Sequence, residues 1–167
     1  MNPQSNLIAS RRAVVIALLA SGALPLGTVR AAAGPTGEAL IAATISGDRA
    51  RVEALLAAGA PVDAVDRSGN TALIFAARDG RLDIAVLLIG HGAQIDRQDD
   101  EKVTALIIAA FRGHDSIVDL LLDQGAAVDI RDRWRRTALD YALRRGDNDA
   151  IALKLRAAGA RTGAAVE

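Results

Sequence analysis

The runs TALIFAA from Thr71, TALIIAA from Thr104 and TALDYAL from Thr137 begin 33 residues apart, and Gly47, Gly80, Gly113 and Gly146 keep the same interval. The pairs Gly59-Ala60, Gly92-Ala93 and Gly125-Ala126 hold it as well, and Gly159-Ala160 follows after 34 because the last unit carries one extra residue. A chain that repeats itself at this length is expected to fold as a solenoid. Each unit is one supersecondary element that cannot bury its own apolar face, so the core is completed only by stacking neighbours. An array of this kind presents equivalent positions side by side along an extended surface, which makes it a binding surface before any single residue is weighed.

One repeat, residues 66–98, can be read physically. Asp66-Arg67-Ser68-Gly69-Asn70 is a turn-forming run in which Gly69 can take a positive φ and Asp66 can accept backbone amides. Thr71 can cap a helix over 72–78, which is mostly apolar and too short to persist alone in water. Asp79-Gly80 breaks it. A second helix from Leu82 to about Gly90 carries Leu82, Ala85, Val86, Leu88 and Ile89, an apolar stripe of helical period that must pack on its neighbours. Gly92 ends this helix, and 93–96 lead outward into the next turn. Half of the 167 residues are hydrophobic, yet the only aromatics are Phe75, Phe111, Trp134 and Tyr141. The core is therefore built mainly from Ala, Leu, Ile and Val, which suits closely packed short helices.

Residues 1–33 stand outside the pattern. They begin polar, carry Arg11-Arg12, run largely apolar over 13–26 and finish in Ala31-Ala32-Ala33. That order of basic, apolar and small residues predicts a secretory signal cleaved after Ala33 or Ala31. The apolar run falls short of the roughly 20 residues that span a bilayer, so stable membrane insertion is not expected after cleavage. Ser10-Arg11-Arg12 also resembles a twin-arginine export signal, although Val14-Val15 stands where that signal prefers an aromatic and a leucine. The general secretory route stays open beside it. No cysteine occurs in the chain, which excludes disulfides, a thiol nucleophile and thiolate metal ligation.

Taken together, Thr104-Ala105-Leu106-Ile107, Gly113-His114, Leu120-Leu121-Leu122 and Gly125-Ala126-Ala127-Val128-Asp129 resemble the successive segments of the ankyrin repeat. The resemblance covers roughly 34–163 and implies an all-α solenoid of four helix-turn-helix units: 34–65, 66–98, 99–131, and 132 to about 163. The outer two would be caps, and 164–167 a C-terminal tail. Where the family opens its helix with Pro and His, this chain has Ala72, Ala105 and Ala138, then Ile74, Ile107 and Asp140. Loss of that His predicts less tightly tied turns. The family's turn Gly survives at Gly69 but becomes Lys102 and Arg135, whose loops are expected to use a different turn or carry strain. Similarity to small exported bacterial ankyrin proteins further implies a periplasmic or secreted accessory factor or scaffold, with a link to oxidative stress defence through catalase.

No catalytic constellation emerges. His91 precedes a helix-ending Gly, and His114 occupies the inter-helix turn where the family often has His; both read as structural. Neither seeds a metal site, and no Gly-rich phosphate loop or other cofactor signature is present. An enzyme would need an unseen pocket using Asp140 with Tyr141, but Asp140 more simply caps the last repeat. The expected function is thus non-enzymatic binding of an unidentified protein on the concave side made by turn tips and first helices. Candidate contacts are Arg67, Ser68, Asp100, Glu101, Lys102, Arg133, Trp134 and Arg135. Trp134 reads either as an interface anchor or as a lid folded over the last repeat. The run Asp99-Asp100-Glu101 reads as a solvated loop or as part of that contact.

Residues 63–129 hold twelve acidic and six basic side chains, whereas 131–161 hold nine basic and four acidic. Ends of opposite sign leave weak self-association, and hence a self-associating structural protein, as the alternative. The arginines around Trp134 form one short patch on a neutral chain, which argues against nucleic acid as the partner.

Overall fold

The computed structural model describes residues 36–163. The expected leader, 1–33, and tail, 164–167, lie outside the described residues. The helices are α1 (Gly37–Ser46), α2 (Arg49–Ala57), α3 (Ala72–Asp79), α4 (Leu82–Gly90), α5 (Ala105–Arg112), α6 (Asp115–Asp123), α7 (Ala138–Leu143) and α8 (Ala150–Ala157). Each pair packs as one repeat. The first helices α1, α3, α5 and α7 stack in one layer and the second helices α2, α4, α6 and α8 in another, with the first layer making the more extensive contacts. This is the expected all-α solenoid of four helix-turn-helix repeats.

Each first helix starts where a threonine hydroxyl oxygen accepts the N–H three residues on: Thr36 from Ala39, Thr71 from Ile74, Thr104 from Ile107 and Thr137 from Asp140. Three of the four end on a glycine in the left-handed region, as at Gly80 (φ 71°), a conformation that a side chain would strain. The exception is α7, which stops at six residues and leaves a longer loop, 144–149, to absorb the extra residue of the last unit.

Why the stack holds is visible in its periodic columns. Leu40, Leu73, Leu106 and Leu139 occupy one equivalent position and are at most 3% exposed. Burying each such side chain contributes roughly 1.5–3 kcal/mol, which only the neighbouring repeat makes available. Ala76, Ala77, Ala109, Ala110 and Ala142 are fully buried between first helices, where larger side chains would force the layer apart.

Polar ties reinforce the columns. Asp63, Asp96 and Asp129 each accept a backbone N–H from the following unit, of Gln94, Ala127 and Arg161, at 2.9 Å. At the inter-helix loops, the His114 ring lies over Gly80 with Nε2 3.1 Å from the Arg78 carbonyl, and Arg145 donates to the Ala110 carbonyl at 2.6 Å. His114 is therefore an inter-repeat strut. His91 hydrogen-bonds through Nδ1 with the Leu87 carbonyl at the end of α4, a structural role too.

Arg145 also pairs with Asp149, whose carboxylate caps α8 through Ile151 and Ala152 N–H. The hydrogen bonds from Arg145, ahead of the backbone N–H groups, hold Asp149 below its ordinary value of 3.8. The unfolded chain then binds that proton more readily, so the pair's contribution is fully present above pH 3.8 and is lost as pH falls through the folded-state value. Urea denaturation repeated from roughly pH 6 down to pH 2 should show stability falling below about pH 4, and less steeply in Arg145→Gln than in the parent. Equal steepness in both proteins would show that this pair is not linked to folding.

Candidate functional site

The three inter-repeat tips share one construction. Asp66, Asp99 and Asp132 each accept the N–H groups two and four residues ahead through one carboxylate oxygen. Backbone bonds then close each turn, from Asp66 N–H to Asn70 O, Asp99 N–H to Val103 O and Asp132 N–H to Arg136 O. The turns are thus hydrogen-bonded at each tip although the family's His is absent. Environment still separates the first two. Burial, with Glu101 and Asp100 adding to it, raises the Asp99 pKa. At Asp66 burial acts in the same direction, but the Asn70 and Ser68 N–H groups outweigh it and the pKa is lowered.

Lys102 and Arg135 carry strain rather than a different turn. Their φ angles of 60° and 62° match the 77° of Gly69, and their N–H groups bond Asp99 O and Asp132 O as Gly69 bonds Asp66 O. An L-residue held there costs about 1 kcal/mol or more. Both side chains are exposed.

Adjacent tips are stitched to one another. Asp100 N–H donates to Ser68 O at 3.0 Å and Arg133 N–H to Glu101 O at 2.9 Å, while the Arg133 guanidinium also grips the Glu101 carboxylate. Of the eight expected contact residues, Arg67, Ser68, Asp100, Lys102, Arg133, Trp134 and Arg135 are exposed on successive tips, and Glu101 is half-buried against Arg133. Trp134 is 54% exposed, which favours the anchor over the lid, and the free face of the last repeat is met by another part of the chain. Segment 161–163 lies on that face: Thr137 Oγ1 donates to Arg161 O at 2.9 Å, and Gly163 N–H to Asp140 at 2.7 Å.

Beside the tips lies an open hollow of about 330 Å³. The third repeat contributes Val103, Ile107, Ile108 and Phe111, and the fourth contributes Trp134, Arg136, Tyr141 and Arg144. Phe111 meets Tyr141 edge to face at a centroid distance of 5.4 Å, and the guanidinium groups of Arg136 and Arg144 lie 5.8 and 5.3 Å from the Tyr141 ring centre. Tyr141 OH donates to the carboxylate of Asp132, and burial first, then this bond, raises its pKa.

The sequence reading did not single out Ile108, Phe111 or Arg144 as contact residues, and it weighed Tyr141, which is buried, only beside Asp140. First helices were expected on the binding face, but none of their residues was named, although a signal was present. Phe75, Ile108 and Tyr141 stand four residues after Thr71, Thr104 and Thr137, and Arg78, Phe111 and Arg144 stand seven after them. Both positions fall on one helix face.

Asp140 and Tyr141, weighed as a catalytic pair, are engaged separately. The Asp140 carboxylate accepts Thr137 N–H and Gly163 N–H, whereas Tyr141 is bound to Asp132. Among the described residues no cluster of three or more His, Asp or Glu is placed to hold a metal ion, and no helix is long and apolar enough to cross a membrane.

A family model described as ankyrin repeats (many copies) matches the chain over residues 39–89, 75–122 and 109–155, which together take in most of its length. No curated protein matches the chain significantly.

The strained tips make a direct test. Lys102→Gly removes the left-handed penalty but frees the unfolded chain, two opposing effects of about 1 kcal/mol each, so urea unfolding should shift by less than about 1 kcal/mol. Lys102→Val, with a β-branched side chain in the same conformation, should lose more than about 1 kcal/mol. An equal loss in both variants would show that the positive φ is not required.

Proposed function

The chain belongs to the ankyrin repeat family, and from that premise we propose that it is an accessory or scaffold protein that holds a protein partner on its tip and first-helix face. Ankyrin repeats are non-catalytic protein–protein interaction modules, so the fold itself supplies the class of function. What supports this particular face is the coincidence of strain and exposure: Lys102 and Arg135 hold charged side chains where glycine would be free of penalty, next to half-exposed Trp134 and Phe111. Strained residues persist where the surroundings over-determine them, and they cluster at functional surfaces. Self-association is the second reading, favoured by the opposite charge balance of 63–129 and 131–161.

The proposed place of action is the periplasm or the outside of a bacterial cell. That rests on the basic, apolar, small order of 1–33, with cleavage after Ala33 or Ala31. The oxidative-stress link rests on resemblance to small exported bacterial ankyrin proteins. An exported scaffold that positions a peroxide-removing enzyme is the form in which we carry it.

Two measurements separate these readings. Covalent crosslinking in the exporting cell should recover one stoichiometric protein. Lys102→Glu with Arg135→Glu, which keeps the backbone requirement and reverses the charge, should cut that recovery at least about tenfold without changing the fold. Undiminished recovery from the folded variant would remove this face from the reading, and recovery of only the protein's own copies would favour self-association. For the location, N-terminal sequencing of the protein from a periplasmic fraction should begin at Gly34 or Ala32; a cytoplasmic product starting at Met1 would defeat it.

A further inference from the structure

We infer that the hollow between the third and fourth repeats seats a bulky apolar side chain from an acidic segment of the partner protein, its flanking carboxylates meeting Arg136 and Arg144. This rests on the protein-binding reading and adds to it the chemistry of what is bound. At about 330 Å³ the hollow lies near the lower end of the roughly 300–1,000 Å³ that ligand pockets occupy, which is room for one large side chain rather than an extended apolar surface. Its walls leave Phe111 46% and Trp134 54% exposed, although most other large apolar side chains of these repeats are covered by a neighbour.

Charge then selects among the side chains that would fill it. Like most arginines of the described residues, Arg136 and Arg144 make no ion pair; what sets them apart is that both guanidinium groups lie against one aromatic ring in the wall of the hollow. Carboxylates nearby are already engaged: Asp132 by Tyr141 and tip N–H groups, Glu101 by Arg133, and Asp140 by Thr137 and Gly163. Neither guanidinium is therefore paired directly with a carboxylate, although Asp132 and Asp140 keep their charge nearby. Aromatic walls alone would also suit a cation, but two guanidinium groups packed on the Tyr141 ring repel one and leave an anion-flanked apolar group as the complementary ligand. Arginine with aromatics could likewise stack a nucleic-acid base. The acidic run Asp99-Asp100-Glu101 on the adjoining tip repels any long anion laid across it, so the ligand's carboxylates must be few and sit at Arg136 and Arg144, which suits a short acidic stretch better than a continuous phosphate backbone.

Trp134 is the only tryptophan in the chain and stands in the wall of the hollow, so its emission reports occupancy. The probes are an acetylated, amidated peptide with one phenylalanine between glutamates, its lysine counterpart, its alanine-for-phenylalanine counterpart and a short single-stranded oligothymidylate. The expected result is a saturable change in Trp134 emission with the glutamate peptide. Affinity should weaken about tenfold or more in the lysine and alanine peptides, in Arg136→Gln with Arg144→Gln, and on raising salt. Arg144→Gln alone, at an exposed position, serves if the double variant does not fold. No saturable change up to about millimolar peptide, equal binding of the lysine peptide, or saturation by the oligonucleotide alone would each overturn the proposal. If the peptide fails while charge reversal at Lys102 and Arg135 still releases the crosslinked partner, the hollow is ruled out and the binding reading stands.

Discussion

Contact between successive first helices is the constraint on which everything else in this array depends. Helices of six to ten residues do not persist alone in water, where about 12–15 residues are marginal even for favourable sequences. Each unit therefore exists only because its neighbours cover it. The alanines at Ala76, Ala77, Ala109, Ala110 and Ala142 set how closely the layer can approach, and that approach decides what is left outside. At α5 and α7 the side chains seven residues after the capping threonine, Phe111 and Arg144, stay exposed beside the half-buried Ile108 and the buried Tyr141 at the fourth position. Packing thus creates the row that includes Phe111, Tyr141 and Arg144, and the hollow is a by-product of how the repeats fit.

The tips show a second balance, between local strain and the bonds that contain it. A left-handed lysine or arginine is tolerated because the turn around it is over-determined: an aspartate oxygen takes two N–H groups, the backbone closes the loop, and a carbonyl of the preceding tip accepts one bond more. Gly69 meets the same geometry without penalty in the tip that lies farthest from the hollow. Strain and the aromatic hollow both fall in the third and fourth repeats, so the array is uneven in character although its backbone is repetitive.

Much of this fold was legible from the period, because a 33-residue interval fixes which residues stack and threonine and glycine mark where helices begin and end. Helices α3 and α4 fall where the turn and capping residues placed them, to within a residue. The tip residues were legible as exposed for the same reason. What escaped was the relation between repeats. Asp63, Asp96 and Asp129 are as periodic as the glycines, but a carboxylate next to a turn says nothing by itself about whether it bonds its own unit or the next one. The hollow escaped because the pattern of a short apolar helix does not show which of its faces the neighbouring helices leave open. Trp134 could not be resolved between lid and anchor by sequence, since both need an aromatic at the last tip and differ only in which side of that tip it faces.

The departure at Asp140 shows how one position serves differently along the stack. Ile74 and Ile107 at the equivalent position are 4% and 3% exposed, because a following repeat covers them. The fourth repeat has no following helix pair among the described residues, and isoleucine there would lose that cover. Asp140 instead turns the exposed position into a polar clasp, closing a capping box with Thr137 and holding the Gly163 N–H. The same repeat therefore ends the apolar stack on one side and, through Trp134, Arg136, Tyr141 and Arg144, walls the hollow on the other. Its Thr137–Asp140 clasp lies between the tip that carries Trp134 and the helix that carries Tyr141. What joins the two aromatic walls is Asp132, whose carboxylate accepts both the Trp134 N–H and the Tyr141 hydroxyl, so the shape of the candidate site depends on the same aspartate that closes the last tip.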